Sequence, residues 1–197
     1  MKSRYLLTNT LVVLLSLSIG AASAAAPSSP AKSDHDKGVE AVAKKSYEEA
    51  VTHFTKAIET DSKVVAPYLE RAIANMHLKQ YRKAIDDCKV VMANDKAHKA
   101  EQREANMIAS GAANMLGEFA EAQGYASKAI EIAPGSLVYA DRAMAHKGQG
   151  HLAEALQDIN QAIKMNGKRS GFYQLRAGIY EQMAKADRAR SSELAKK

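Results

Sequence analysis

Apolar residues recur every three or four positions from about Gly38 to the C-terminus. This spacing places them on one face of an α-helix, and no alternating strand pattern of useful length interrupts it. The prolines agree with the pattern, because Pro67 suits the first turn of a helix and Pro134 follows the end of one. The hydrophobic pattern therefore predicts an all-α fold.

Two linked motifs repeat along this helical region. The first motif has a large residue, an Ala three positions later, and core residues four and seven positions after that Ala. It begins at Tyr47, Tyr81, Phe119 and Leu152. The second is Tyr-x-x-Arg-Ala, which begins at Tyr68, Tyr139 and Tyr173. The starts of the first motif are 34, 38 and 33 residues apart. Small residues at fixed positions let helices cross closely, so this period predicts stacked helix pairs with one continuous core.

The two motifs together resemble the tetratricopeptide repeat family, whose unit of about 34 residues is a helix-turn-helix. The resemblance covers roughly residues 31–197, with units at about 31–64, 65–98, 99–136 and 137–169 and a more polar C-terminal capping pair at 170–197. It implies a right-handed superhelical solenoid domain over residues 37–197. The third unit is four residues longer than the second, which predicts an added helical turn near residues 98–103.

The N-terminus has the layout of a secretory signal peptide over residues 1–24. Lys2 and Arg4 precede an apolar run, and small residues around Ala24 and Ala26 suit a cleavage site. An uncleaved anchor is the alternative, but the apolar stretch is shorter than the roughly 20 residues that span a bilayer. Residues 25–36 are small, polar and proline-bearing, so they are expected to be a disordered tether. These features predict a periplasmic or secreted protein with no stable membrane insertion after cleavage.

Charge and motif content argue against several classes of function. Without Lys2 and Arg4 the chain has 26 basic and 22 acidic residues spread along its length, so no nucleic-acid partner is expected. The six histidines occupy unmatched repeat positions without metal-ligand spacing, and no phosphate-binding glycine loop occurs. We therefore expect no catalytic residues, no metal and no cofactor. Cys88 is expected to be a buried, inert thiol, and Asp86 and Asp87 to lie on a solvated outer face.

The first helix of each unit is the more informative one, because in the family that this chain resembles these helices line a concave, peptide-binding side. Carrying the inward positions through each unit predicts a partner-binding groove formed by Val39, Val42, Leu69, Ile73, Met76, Met107, Gly111, Met144 and Gly178. Methionine lets such a surface adapt to apolar side chains of varied shape. The alternative is that neighbouring helices fill this stripe and leave no open groove.

One variant of the family grips a terminal carboxylate with Lys and Asn on successive first helices. The matching positions here hold His35, Val39, Leu69 and Ile73, so that kind of binding is not expected. The sequence predicts a non-enzymatic adaptor for a protein or peptide partner, and the resemblance implies a role in envelope, pilus or secretion assembly. A glycan or small-molecule binding module of cell-wall metabolism is the alternative, although the predicted groove has no aromatic residue.

Overall fold

The structure is a computed structural model that describes residues 30–196. This part of the chain forms nine α-helices and no strand: α1 Pro30–Ala43, α2 Tyr47–Thr60, α3 Ala66–His77, α4 Tyr81–Ala93, α5 Lys99–Leu116, α6 Phe119–Ile132, α7 Ser136–Gly148, α8 Leu152–Met165 and α9 Ser170–Leu194. The prediction of an all-α solenoid is confirmed. The predicted signal peptide and residues 25–29 of the predicted tether lie outside the described residues.

Each helix packs against the next one along the chain, which gives the pairs α1–α2, α3–α4, α5–α6 and α7–α8. The first helices of successive pairs also contact one another, so α1, α3, α5, α7 and α9 form one side of the solenoid. We call these five helices the inner layer. None of the helices within residues 30–196 is long and apolar enough to cross a membrane.

The small residues of the repeated motif lie where helices cross, as predicted. All four of its alanines are completely buried: Ala50, Ala84, Ala122 and Ala155. The core positions that follow them, Phe54, Cys88, Ala126 and Ile159, are completely buried too. Gly38 shows how close the approach is, because a Cβ at this position would collide with the ring of Phe54.

The turn inside each pair has the same backbone geometry in all four units. One turn residue adopts a positive φ angle: 61° at Lys45, 60° at Lys79, 77° at Gly117 and 80° at Gly150. A left-handed residue lets the chain reverse immediately after the first helix. Glycine adopts this conformation without steric cost, whereas lysine does not. The first two units therefore have lysine at a turn position that favours glycine.

The two ends of the described chain differ from the prediction. The expected capping pair is a single helix, α9, of 25 residues, because no Gly or Pro after Gly178 breaks it. Helix α1 begins at Pro30, so residues 30–36 are helical rather than disordered. Two contacts fix this segment: His53 Nδ1 lies 3.3 Å from Asp34 Oδ1, and His35 Nε2 lies 2.6 Å from Glu70 Oε2. The added turn of the third unit is confirmed, since α5 has 18 residues against 12–14 in α1 to α4.

Candidate functional site

The predicted groove residues lie on the inner layer but are not equally accessible. Leu69 is only 6% exposed and belongs to the core around α3, α4 and α5, so the prediction that it faces a partner is wrong. The reason is that α3 turns this position toward the adjacent helices. The other eight residues are half-buried: Val39, Val42, Ile73, Met76, Met107, Gly111, Met144 and Gly178. Their role in binding stays a prediction.

Neighbouring side chains fill part of the predicted groove. The methyl group of Met76 covers Gly111, where a Cβ would lie 3.6 Å from it. The side chain of Lys147 reaches across to Gly178 in the same way, with its Nζ 2.9 Å from the position of a Cβ. Met107 packs against a buried cluster that includes Val138. Ile73 and Met144 are half-buried and lie outside the clusters of packed apolar residues.

Half-buried carboxylates accompany these apolar residues on the inner layer. Glu70 on α3, Glu104 on α5 and Asp141 on α7 each lie on a different helix. Glu70 forms a close ion pair with His35, and this contact raises the pKa of His35. Within the described residues, Glu104 and Asp141 form no ion pair at 4.0 Å or less.

The environment of Glu104 and Asp141 disfavours their charged forms. Burial raises the pKa of Glu104, and the nearby carboxylates of Glu70 and Glu101 raise it further, whereas the positive charge of Arg103 opposes the rise. Burial alone raises the pKa of Asp141 to about 7. Asn114 lies beside it and donates a hydrogen bond from Nδ2 to the main-chain oxygen of Asp141, at 2.9 Å. A cationic group close to either carboxylate would favour its charged form.

Two buried ion pairs connect the helices of the second and fourth units. Arg71 donates from Nε to Asp87 Oδ2 at 3.0 Å and from Nη2 to Asp87 Oδ1 at 2.6 Å. Arg142 makes the equivalent bonds to Asp158, at 2.7 and 2.9 Å. In both units the aspartate follows the arginine by sixteen residues. Asp87 is 6% exposed, so the prediction that it lies on a solvated outer face is wrong.

Each of these arginines also contacts the preceding unit. Arg71 donates to Thr55 Oγ1 at 2.9 Å, and Arg142 donates to Ser127 Oγ at 3.3 Å. The guanidinium groups lie over the tyrosines of their own motif, 5.7 Å from the ring centre of Tyr68 in the second unit. The Tyr-x-x-Arg-Ala motif therefore packs between units and also joins three helices through its arginine.

Metal-ligating side chains do not converge among residues 30–196. No group of three or more His, Cys, Asp or Glu in this part of the chain has a geometry that could hold a metal ion. Cys88 is buried as predicted, and burial raises the pKa of its thiol well above the ordinary value. A thiol in this state is a poor nucleophile.

The comparisons with known proteins agree with this geometry. Residues 137–169 match the tetratricopeptide repeat family model, and these residues contain the buried pair of Arg142 and Asp158. The fold is that of a tetratricopeptide repeat solenoid. No curated protein matches the sequence.

Solved tetratricopeptide repeat structures show the same chain path at low sequence identity. MamA of Desulfovibrio magneticus RS-1, from residue 41 to its end, is 15% identical, with 85% of this chain and 98% of that chain covered and a TM-score of 0.67. A tetratricopeptide repeat protein of Parabacteroides merdae ATCC 43184 is 21% identical, with 84% and 64% covered and a TM-score of 0.67. A thermophilic repeat protein of Thermus thermophilus is 17% identical, with 80% and 84% covered and a TM-score of 0.62.

Proposed function

We propose that this chain is an exported, non-enzymatic adaptor that binds a segment of a partner protein on its inner layer, and that this segment carries Lys or Arg beside apolar side chains. The observation that supports the basic character is the presence of Glu104 and Asp141, two half-buried carboxylates without an ion-pair partner within residues 30–196. A bound cation favours the charged form of such a carboxylate, and the same coupling strengthens binding.

Apolar contacts supply the second part of the recognition. Ile73 and Met144 are half-buried and lie on the two helices that flank α5 in the inner layer. Covering apolar area releases roughly 25 cal/mol per Å². A segment with apolar residues on one side and a basic residue between them would satisfy both kinds of group at once. This combination gives more specificity than either contact type alone.

A panel of short fluorescein-labelled peptides tests the proposal at pH 8, where Asp141 is largely charged. One set alternates Leu or Met with Lys, and the matched set replaces Lys with Glu. The Lys peptides should bind, and the double variant Glu104→Gln with Asp141→Asn should weaken their binding about tenfold. Glu59→Gln with Glu131→Gln, on exposed positions of α2 and α6, is the control and should leave binding unchanged.

Two results would contradict this function. Equal binding of the Glu peptides would show that the partner segment does not need a basic residue. Binding of cell-wall glycan fragments, with no binding of either peptide set, would instead support the alternative of a glycan-binding module.

Export is the second part of the proposal. It rests on the basic start, the apolar run and the small residues up to Ala26. N-terminal sequencing of protein from the cell envelope should find a chain that begins after Ala24 or Ala26. The proposed role in envelope, pilus or secretion assembly rests on the resemblance to exported repeat proteins. Retention of Met1 on membrane-bound protein would instead indicate an anchored scaffold.

A further inference from the structure

Helix α9 begins as the first helix of a fifth repeat unit. It carries the motif residues Tyr173, Arg176 and Ala177 at the same spacing as the motif that begins at Tyr68 on α3. The Tyr173 hydroxyl donates to the main-chain oxygen of Gly167 at 3.1 Å, six residues before it. Tyr68 makes the same bond to a main-chain oxygen six residues before it, at 3.4 Å. The start of α9 therefore follows the geometry of the earlier units.

The second helix of this fifth unit is absent from the described residues, because α9 runs on as one helix to Leu194. The face that such a helix covers in the complete units is exposed on α9. In the second unit Tyr68 is 9% exposed, Ala72 0% and Asn75 1%. The corresponding residues of α9 are open to solvent: Tyr173 at 42% and Tyr180 at 50%, with Ala177 exposed between them.

Arg176 retains two of the three contacts that its counterparts make. Its guanidinium lies 5.3 Å from the ring centre of Tyr173, and its Nη1 donates to Asn160 Oδ1 of the preceding unit at 3.1 Å. The third contact, a carboxylate sixteen residues later, is replaced by Ser192. That residue lies about 24 Å farther along the same helix, since an α-helix rises about 1.5 Å per residue.

We propose that this α9 face, formed by Tyr173, Arg176, Ala177 and Tyr180, binds an amphipathic helix of a partner protein in the position of the missing second helix. The chemistry of that helix follows from the two helices that fill the same position in the second and fourth units. It has a small residue where it crosses Ala177, as Ala84 and Ala155 do in α4 and α8. It also has an Asp or Glu that accepts two hydrogen bonds from Arg176.

Helices α4 and α8 of a second copy of this chain are poor candidates for that helix. The aspartates of α4 and α8 that would suit Arg176 are already bound to Arg71 and Arg142 in their own units. Their crossing alanines are completely buried in the same units. Offering either helix in trans would require a unit to open and lose a buried ion pair. A separate partner can supply the same residues without that cost.

The chain itself supplies a probe for this experiment. A helix-stabilised, fluorescently labelled peptide with the sequence of α8, Leu152–Met165, carries the crossing alanines and Asp158. It should bind the full chain, and both Arg176→Ala in the protein and Asp158→Asn in the peptide should weaken binding about tenfold. Combining the two changes should cost little more than either alone, because both remove the same contact.

Matched variants locate the binding on α9. Tyr180→Asp should abolish binding of the α8 peptide, whereas Lys185→Ala, at an exposed position farther along α9, should not change it. Glu104→Gln with Asp141→Asn should leave this peptide bound, which separates the α9 face from the inner layer. Thermal melts of each variant show whether the fold is retained.

Three outcomes would overturn the proposal. The first is equal binding of the α8 peptide to the unmodified chain and to Arg176→Ala. The second is absence of binding by helix-stabilised peptides of both α4 and α8. The third is a dimer, detected by sedimentation, that Tyr180→Asp dissociates, because it would assign the α9 face to a second copy of the chain.

Discussion

The guanidinium of Arg71 and the carboxylate of Asp87 meet through two hydrogen bonds between α3 and α4. Asp87 is almost completely buried, and its oxygen Oδ2 also lies 3.4 Å from Asn75 Nδ2. Arg142 and Asp158 repeat the arrangement between α7 and α8. The same two residues therefore fix the relative position of the helices in two separate units of the solenoid.

Replacing Asp87 with Ala should destabilise the protein by about 2–4 kcal/mol, because it leaves Nε and Nη2 of the poorly accessible Arg71 guanidinium without their carboxylate acceptor. Urea unfolding followed by circular dichroism measures this change. The neighbouring exposed residue gives the control, since Asp86→Ala should change the free energy of unfolding by no more than about 0.5 kcal/mol. Equal effects of the two substitutions would show that the buried ion pair does not contribute to the free energy of unfolding.

The turns of the first two units offer a stabilising substitution. Lys79 has a φ angle of 60°, and Lys79→Gly should raise the free energy of unfolding by about 0.5–1 kcal/mol, because the strain of a left-handed lysine exceeds the entropy that glycine loses on folding. Lys89→Gly, in the exposed interior of α4, should instead destabilise by about 1 kcal/mol. A loss of stability in both variants would contradict the assigned turn geometry.

Asp141 should make stability depend on pH in an unusual direction. Its pKa in the folded protein is about 7, above the ordinary value of 3.8, so between these values the folded state holds more protons than the unfolded state. The contribution of Asp141 to the free energy of unfolding therefore falls as pH rises from about 4 to about 7. Asp141→Asn should melt at a higher temperature than the unmodified protein at pH 8, with a smaller difference at pH 4.

Comparing the two proteins at each pH cancels the titration of other groups, such as His35. Asp86→Asn, at an exposed position on α4, is the control and should show no such trend. A difference between Asp141→Asn and the unmodified protein that is equal at pH 4 and pH 8 would contradict the raised pKa.

The repeat pattern predicts much of the fold because packing leaves a direct record in the sequence. Close helix crossings exclude large side chains, so the alanines at 50, 84, 122 and 155 report where the helices meet. The environment of Asp87 is less evident, since successive residues of a helix point about 100° apart and only one of Asp86 and Asp87 faces α3. The signal that identifies Asp87 is its spacing of sixteen residues from Arg71, which recurs between Arg142 and Asp158.

The accessible surface is harder to predict than the core. Position within the repeat assigns Leu69 and Ile73 to the same side of α3, yet Leu69 is buried and Ile73 is not. The difference depends on how far the neighbouring first helix reaches, which residue types alone do not specify. The face of α9 is exposed because α9 continues as one helix to Leu194 and no second helix of the fifth unit covers it within the described residues.

The apolar part of the inner layer gives the last prediction. Ile73→Ala with Met144→Ala removes side chain without adding charge, so the carboxylates of the inner layer remain as they are. Each truncated anchor should cost about 1–2 kcal/mol of binding to a Lys-containing apolar peptide. The double variant should therefore bind at least about tenfold more weakly by fluorescence anisotropy. Stability should change little, because neither side chain belongs to a packed cluster.

Matched apolar truncations on another surface complete this test. Val64→Ala with Val90→Ala removes side chains that are 43% and 44% exposed, and it should leave peptide binding intact. If that pair weakens binding while the pair on the inner layer does not, the binding surface is elsewhere. If Ile73→Ala with Met144→Ala unfolds the protein, the two residues belong to the core and the inner layer is closed to a partner at these positions. Weaker binding by a folded variant would place the partner's apolar side chains between α3 and α7.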